Sequence, residues 1–118
     1  PVGDLDAADR AVVVARAEAL VLVSEELGFA LPMLEAFAHG TPVVHPSSPA
    51  SDEIAAEASL AVRLAGDESD VDRIAHAVDQ IVAHDAMRER LTLLGQDRAR
   101  AFDWSTTAHQ LWRLHADL

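Results

Sequence analysis

Residues 27 to 44 read Leu27-Gly28-Phe29-Ala30-Leu31-Pro32-Met33-Leu34-Glu35-Ala36-Phe37-Ala38-His39-Gly40-Thr41-Pro42-Val43-Val44. This run holds a loop, a helix start, a lone acid, a helix stop and a buried strand in one stretch. Pro32 suits the first turn of a helix, where a missing N–H costs nothing. Gly40 suits the left-handed position just past a helix end. Pro42 to His45 then reads as an apolar strand. Gly28 lets backbone come close to a ligand, and the free amides of the helix start that follows form an anion site. Glu35 lies about one turn into an otherwise apolar helix, where a carboxylate is costly unless it has a partner.

The same alternation extends outward. Asp4 to Glu18 predicts a helix, with Leu5, Ala8, Val12 and Ala15 at helical spacing and Asp4 as its cap. Ala19 to Val23 is a short apolar run and predicts a strand, followed by a loop from Ser24 to Leu27. Pro46 to Ala50 reads as a rigid loop, Ser51 or Asp52 as the cap of a short helix through Glu57, and Ser59 to Leu64 as a third strand. Gly66-Asp67-Glu68 reads as a turn. Three helices complete the chain: Ser69 to His84 with Ser69 as cap, about Asp85 to Ala101, and a last one capped by Asp103. Strands alternating with helices imply an α/β fold, a parallel Rossmann-like sheet flanked by helices with a helical C-terminal tail.

Composition narrows the function. With 118 residues, half of them hydrophobic, the chain can bury a core as one domain or part of one. Its net charge of −11 disfavours nucleic acid and anionic lipid as partners. Every basic residue is arginine, and cysteine is absent, so no disulfide or thiolate metal site can form. No apolar run is long enough to span a bilayer, and no signal peptide is apparent, so a cytoplasmic location is the expectation. The six histidines show no tight metal-ligand spacing. His45, at a strand end, is the one near the presumed cleft, with a pocket role and a packing role about equally weighted.

Gly28 to Val44 resembles the family 4 (group 1) retaining glycosyltransferases of the GT-B fold. Their nucleotide-sugar-binding domain carries Glu-Gly-Phe-Gly-Leu-Pro-x-x-Glu-Ala-x-Ala-x-Gly-x-Pro-Val-Val. The likeness extends to Asp4-Leu5 and Ala17 to Ser24, to Asp52-Glu53-Ile54, and to Arg98 through Ala108 with its Phe102-x-Trp104 core. It therefore covers nearly the whole chain. Two positions depart: Leu27 stands where the family has its first glutamate, and Ala30 where it has its second glycine.

The resemblance implies one partial domain over residues 1–118, the donor-binding half of a two-domain enzyme. The acceptor domain, a further strand and the Arg and Lys that hold donor phosphates would lie upstream of Pro1. It implies transfer of a sugar, with retention, from a nucleotide diphosphate sugar to a hydroxyl acceptor, without metal or cofactor and only together with the missing domain. Gly28, Phe29, Ala30 and Leu31 are the candidate diphosphate-binding residues, and Glu35 the acid that accepts ribose hydroxyls. An ordinary strand-to-helix turn and a solvated carboxylate are the bland alternatives.

Leu27 cannot do what the family's glutamate does beside the reacting carbon. Three explanations compete. Glu26 or Glu25 takes the role, with Glu26 as the catalytic candidate; the donor is bound without that contact; or the chain is a catalytically silent partner or regulatory domain. The acceptor is unspecified, nucleic acid is not expected, and any membrane contact is expected through the missing domain. A free sheet edge leaves homodimerisation open. Ser24, Ser47 and Ser48 are candidate donors to a phosphate or sugar, though such serines more often satisfy turns. Trp104 is expected to anchor the last helix on the sheet, and Trp112 to face an absent partner.

Overall fold

The computed structural model describes residues 2–24 and 28–118. Among these residues, six helices and three strands follow in the order α1 (Ala7–Arg16), β1 (Leu20–Val21), α2 (Leu31–Ala38), β2 (Val43–Pro46), α3 (Pro49–Ala55), β3 (Leu60–Val62), α4 (Ser69–Ala83), α5 (Asp85–Arg100) and α6 (Trp104–Ala116). The sheet is parallel throughout, in the order β1-β2-β3. Leu20 pairs with Val43, and Val44 pairs with Leu60. The α/β class and the parallel pairing expected from the alternating pattern are therefore present.

β2 is the middle strand, and all four of its residues are buried. Side chains alternate across a strand, so Val43 and Val44 point into different layers. Val43 joins Met33, Ala36 and Phe37 of α2 and Ile54 and Ala55 of α3 in one apolar cluster. Val44 joins Val62, Ala77 and Ile81 of α4 and Leu91 of α5 in a second cluster. Two successive crossovers of the same hand, running in the same direction across a sheet, put their helices on one face. That is why α2 and α3 share a layer while α4 lies in the other.

Local chemistry explains most element ends. The Asp6 carboxylate caps α1 by accepting the Asp9 amide at 2.8 Å, two residues beyond the expected Asp4 cap. Gly40 takes φ +76°, the left-handed end of α2 that its position implied. The loop expected over residues 46–50 is shorter than its two prolines suggest. Ser48 caps α3, reciprocally with Ser51, and Pro49 opens the helix. Proline at the first helical position forfeits no hydrogen bond, so the Pro-rich segment is itself a helix start. Ser69 does not cap α4; it is the helix's first residue, and its amide is accepted by Asp67 at 2.9 Å.

The last helix differs most from expectation. α6 has no buried residue, and Trp104 is 87% exposed, so it does not anchor the helix on the sheet. Trp112 is also exposed. What holds the start of α6 is Asp103, whose carboxylate accepts the Thr106 amide at 2.7 Å and the Thr106 hydroxyl at 2.8 Å. Those bonds, the amide first, hold the Asp103 carboxyl below the usual carboxylate range. A lowered carboxylate pKa contributes stability above its unfolded value, lost as pH falls through the folded value. Acidification below about pH 4, the ordinary carboxylate value, is therefore expected to fray α6. Amide NMR should show this at Thr106, with unchanged signals from β2 at the same pH.

Candidate functional site

In open α/β sheets ligands gather beyond the C-terminal ends of the strands. The turn into α2 is at that end of β1, and the turn into α3 at that end of β2. Gly28 has φ +55° and Ala30 φ +50°, ψ +47°. Two left-handed residues flanking Phe29 turn the chain sharply into α2. Among the described residues no side chain caps α2. Nor does α2 carry an acidic residue in its own first turn, which would otherwise offset its positive dipole end.

Ala30 is the telling position. The left-handed region costs a residue bearing a Cβ about 1–2 kcal/mol, which accounts for the glycine that related sequences are expected to carry. Here the methyl is buried, 3% exposed, and belongs to the cluster that holds Met33, Leu34 and Phe37. Burial of one methyl returns about 0.8 kcal/mol, so packing offsets a large part of the strain. The departure from glycine is thus a core contact on one side of the turn, and the backbone keeps the shape glycine would give it.

Glu35 sits where its number predicts, one turn into α2, but its surroundings are less apolar than the sequence suggests. Its side chain is 38% exposed and meets Arg10 of α1 at 3.4 Å. The carboxylate therefore has a partner and stands at the surface. It lines a groove of about 500 Å³ together with Phe29, Leu31, Leu34, Phe102 and Trp104. Three of the expected site residues, Phe29, Leu31 and Glu35, thus share one concavity. Ala30 lies beneath it, in the core. Glu26, the catalytic candidate, and Leu27 lie outside the described residues.

The serines of the second turn are engaged. Ser47 donates to the Asp52 carboxylate at 2.7 Å, and Ser48 and Ser51 cap α3. They satisfy the turn, as serines there more often do. His45 is buried rather than facing a cleft. Its Nδ1 is 2.9 Å from the Pro46 carbonyl and its Nε2 2.7 Å from Ser59 Oγ. A carbonyl only accepts, so Nδ1 carries the proton, and the Ser59 hydroxyl donates to Nε2. The packing role holds for His45. Among the described residues, no three His, Asp or Glu side chains come together to hold a metal ion.

One feature escaped sequence reasoning. The Phe29 and Phe102 rings meet edge to face, centroids 5.9 Å apart. Arg98 lies over the other ring, its guanidinium carbon 4.8 Å from the Phe102 centroid. A contact across more than 70 residues carries no local pattern.

The sequence profile of the glycosyl transferases, group 1, matches residues 2–97. The chain belongs to that family. It is 34% identical over 96 residues to the O-antigen chain mannosyltransferase B of Escherichia coli, covering 81% of this chain and 24% of that protein. It is 29% identical over 117 residues to a phosphatidyl-myo-inositol mannosyltransferase of Mycobacterium leprae, covering 96% of this chain and 30% of that protein. This group 1 glycosyltransferase chain therefore spans less than a third of the length of either relative. Among the described residues no helix is long and apolar enough to cross a membrane.

Proposed function

We propose that this chain is the donor-binding part of a retaining glycosyltransferase, and that the sugar it handles is a mannosyl group. Both relatives described above are named as mannosyltransferases. The observation that carries the reading is the start of α2: a helix end that no described side chain caps, behind a left-handed turn, with Glu35 in the same groove as Phe29 and Leu31. Amides of Phe29, Ala30 and Leu31 would meet the diphosphate, where the helix dipole favours negative charge. Glu35 would accept the two ribose hydroxyls, and water excluded from the closed cleft would strengthen each contact.

The chemistry asked of these groups is electrostatic. As the bond from the sugar's anomeric carbon to the diphosphate breaks, negative charge grows on the leaving phosphate oxygen. Preorganised N–H donors stabilise that charge without reorganising. The turn Gly28-Phe29-Ala30-Leu31 contains no basic residue, so it does not itself supply the counter-charge for a diphosphate. We place it in a further part of the donor-binding domain, and the acceptor site in the other domain that completes the cleft; the present residues alone should not turn over. The soluble face of a cytoplasmic compartment, where nucleotide sugars are used, suits such a protein.

Leu27 favours a second reading, a silent partner domain that keeps the fold without the chemistry. Glu26→Gln in the complete gene product separates the two: loss of transfer supports Glu26 as the group beside the reacting carbon. For donor binding itself, the complete gene product, 15N-labelled at Phe, Ala and Leu, should be titrated with guanosine and uridine diphosphates. Shifts at the amides of Phe29, Ala30 and Leu31 are expected with one of them. Unmoved amides with both nucleotides would sink the donor-site assignment.

A further inference from the structure

In the turn proposed to bind the donor, Ala30 is seated in the core while Phe29 beside it is not. Gly28 and Ala30 both occupy the left-handed region, and Phe29 between them is 59% exposed. The Phe29 ring is met by a contact from outside the turn. That contact comes from the junction of α5 and α6. Phe102 presents its face or edge to the Phe29 ring at an interplanar angle of 74°, the arrangement that aromatic quadrupoles favour. Phe102 is in turn fixed by Arg98 stacked on it.

Arg98 is unusually well tied for a partly exposed arginine. Its Nε donates to the Ile54 carbonyl at 2.7 Å and its Nη2 to the Glu53 carbonyl at 2.6 Å. Both carbonyls lie in the last turns of α3, where a cation also suits the helix dipole. The guanidinium plane is therefore oriented by α3 and stacks on a ring that abuts the turn into α2. One side chain thus links the C-terminal end of α3 to the ring that abuts the turn into α2.

We propose that Arg98 and Phe102 act as positioning residues for the donor turn, holding Phe29 so that the Gly28–Leu31 backbone keeps its diphosphate-binding shape. This rests on the donor-binding reading given above. Arg98 acts through Phe102, and Phe102 through its contact with Phe29. The bracket also makes the turn dependent on the α5–α6 junction, a segment far from it in sequence.

The test uses the complete gene product and calorimetric titration with guanosine diphosphate and with uridine diphosphate. Phe102→Leu keeps an apolar side chain but removes the ring; Phe102→Tyr keeps the ring. For whichever nucleotide the native protein binds, Phe102→Leu should weaken affinity about 2- to 12-fold, the range expected for losing one aromatic pair. Phe102→Tyr should stay within about 2-fold of native, since the pair survives. Deuterium uptake in the peptide covering Gly28–Leu31 should rise in Phe102→Leu and not in Phe102→Tyr.

The decisive arm is the pair with Phe29. If the ring works through Phe29, then Phe102→Leu should add no further loss in a Phe29→Leu background. Additive losses, or a Phe102→Tyr as weak as Phe102→Leu, would overturn the bracket while leaving the donor site standing. If the native protein binds neither nucleotide, the donor reading falls first and the bracket with it. Should Phe102→Leu not fold, Arg98→Lys serves instead: it keeps the charge but loses the planar fork. It should give the same rise in uptake at Gly28–Leu31, and unchanged uptake there would overturn the proposal.

Discussion

Replacing Phe37 by alanine is expected to lower the unfolding free energy by about 3–5 kcal/mol. That is a large share of the roughly 5–15 kcal/mol that holds a domain together. Phe37 is 1% exposed and lies between α2 and α5. Its neighbour on α5 is Gly95, where an added Cβ would lie 2.9 Å from Phe37 Cδ1. The glycine is there because the ring leaves no room for anything larger.

The two positions should therefore couple. Gly95→Ala gains about 1 kcal/mol of helix propensity but forces an overpacked contact costing about 1–3 kcal/mol, so alone it should be neutral to destabilising. Beside Phe37→Leu the crowding eases, and the same Gly95→Ala should become stabilising. Urea unfolding followed by circular dichroism checks both the single loss and the change of sign. Because Phe37 and Ala30 share one cluster, the cavity opened by Phe37→Ala should also loosen the turn ahead of α2.

Glu35→Ala should do the reverse, sparing the fold and harming binding. The carboxylate is surface-exposed and paired with an Arg10 that is itself 57% exposed. Such pairs contribute about 0–1 kcal/mol, so the melting temperature should barely move. If Glu35 accepts the ribose hydroxyls, its loss removes charge-assisted bonds worth about 1.5–3 kcal/mol, roughly 10- to 150-fold in nucleotide affinity. Arg10→Ala is the control. It frees Glu35 from its ion pair and should not weaken the nucleotide. A Glu35→Ala protein that binds as tightly as the native one would remove this acid from the site.

The parts of the fold legible in the sequence were those written in local chemistry. Gly40 announced the end of α2 because only a residue without a Cβ enters the left-handed region freely. Asp103 announced α6 because a carboxylate before a polar turn is a cap. Ser48 was missed for the opposite reason: two flanking prolines look like a loop, yet one of them is the first residue of a helix. Asp6 against Asp4 was a choice between equivalent acids that only the backbone resolves. Trp104 failed differently. The spacing of apolar residues says which face of α6 is apolar and nothing about whether that face has a partner.

The candidate site divides the same way. The backbone shape of the turn and the place of Glu35 follow from local spacing, since glycine, proline and the helical repeat act over a few residues. The Arg10 partner of Glu35 and the Phe102 partner of Phe29 are contacts between distant segments. No local rule encodes them. His45 was balanced between pocket and packing on sequence grounds, and its burial beside Ser59 decides for packing.

The chain has two tryptophans and no tyrosine. Both tryptophans stand on α6, a helix that contributes nothing to either apolar cluster. Intrinsic fluorescence is consequently a poor thermometer for this molecule and a good proximity sensor. Emission should begin at the long wavelengths of hydrated indole and change little while the sheet melts. A blue shift would report something else: the moment another surface closes over that helix.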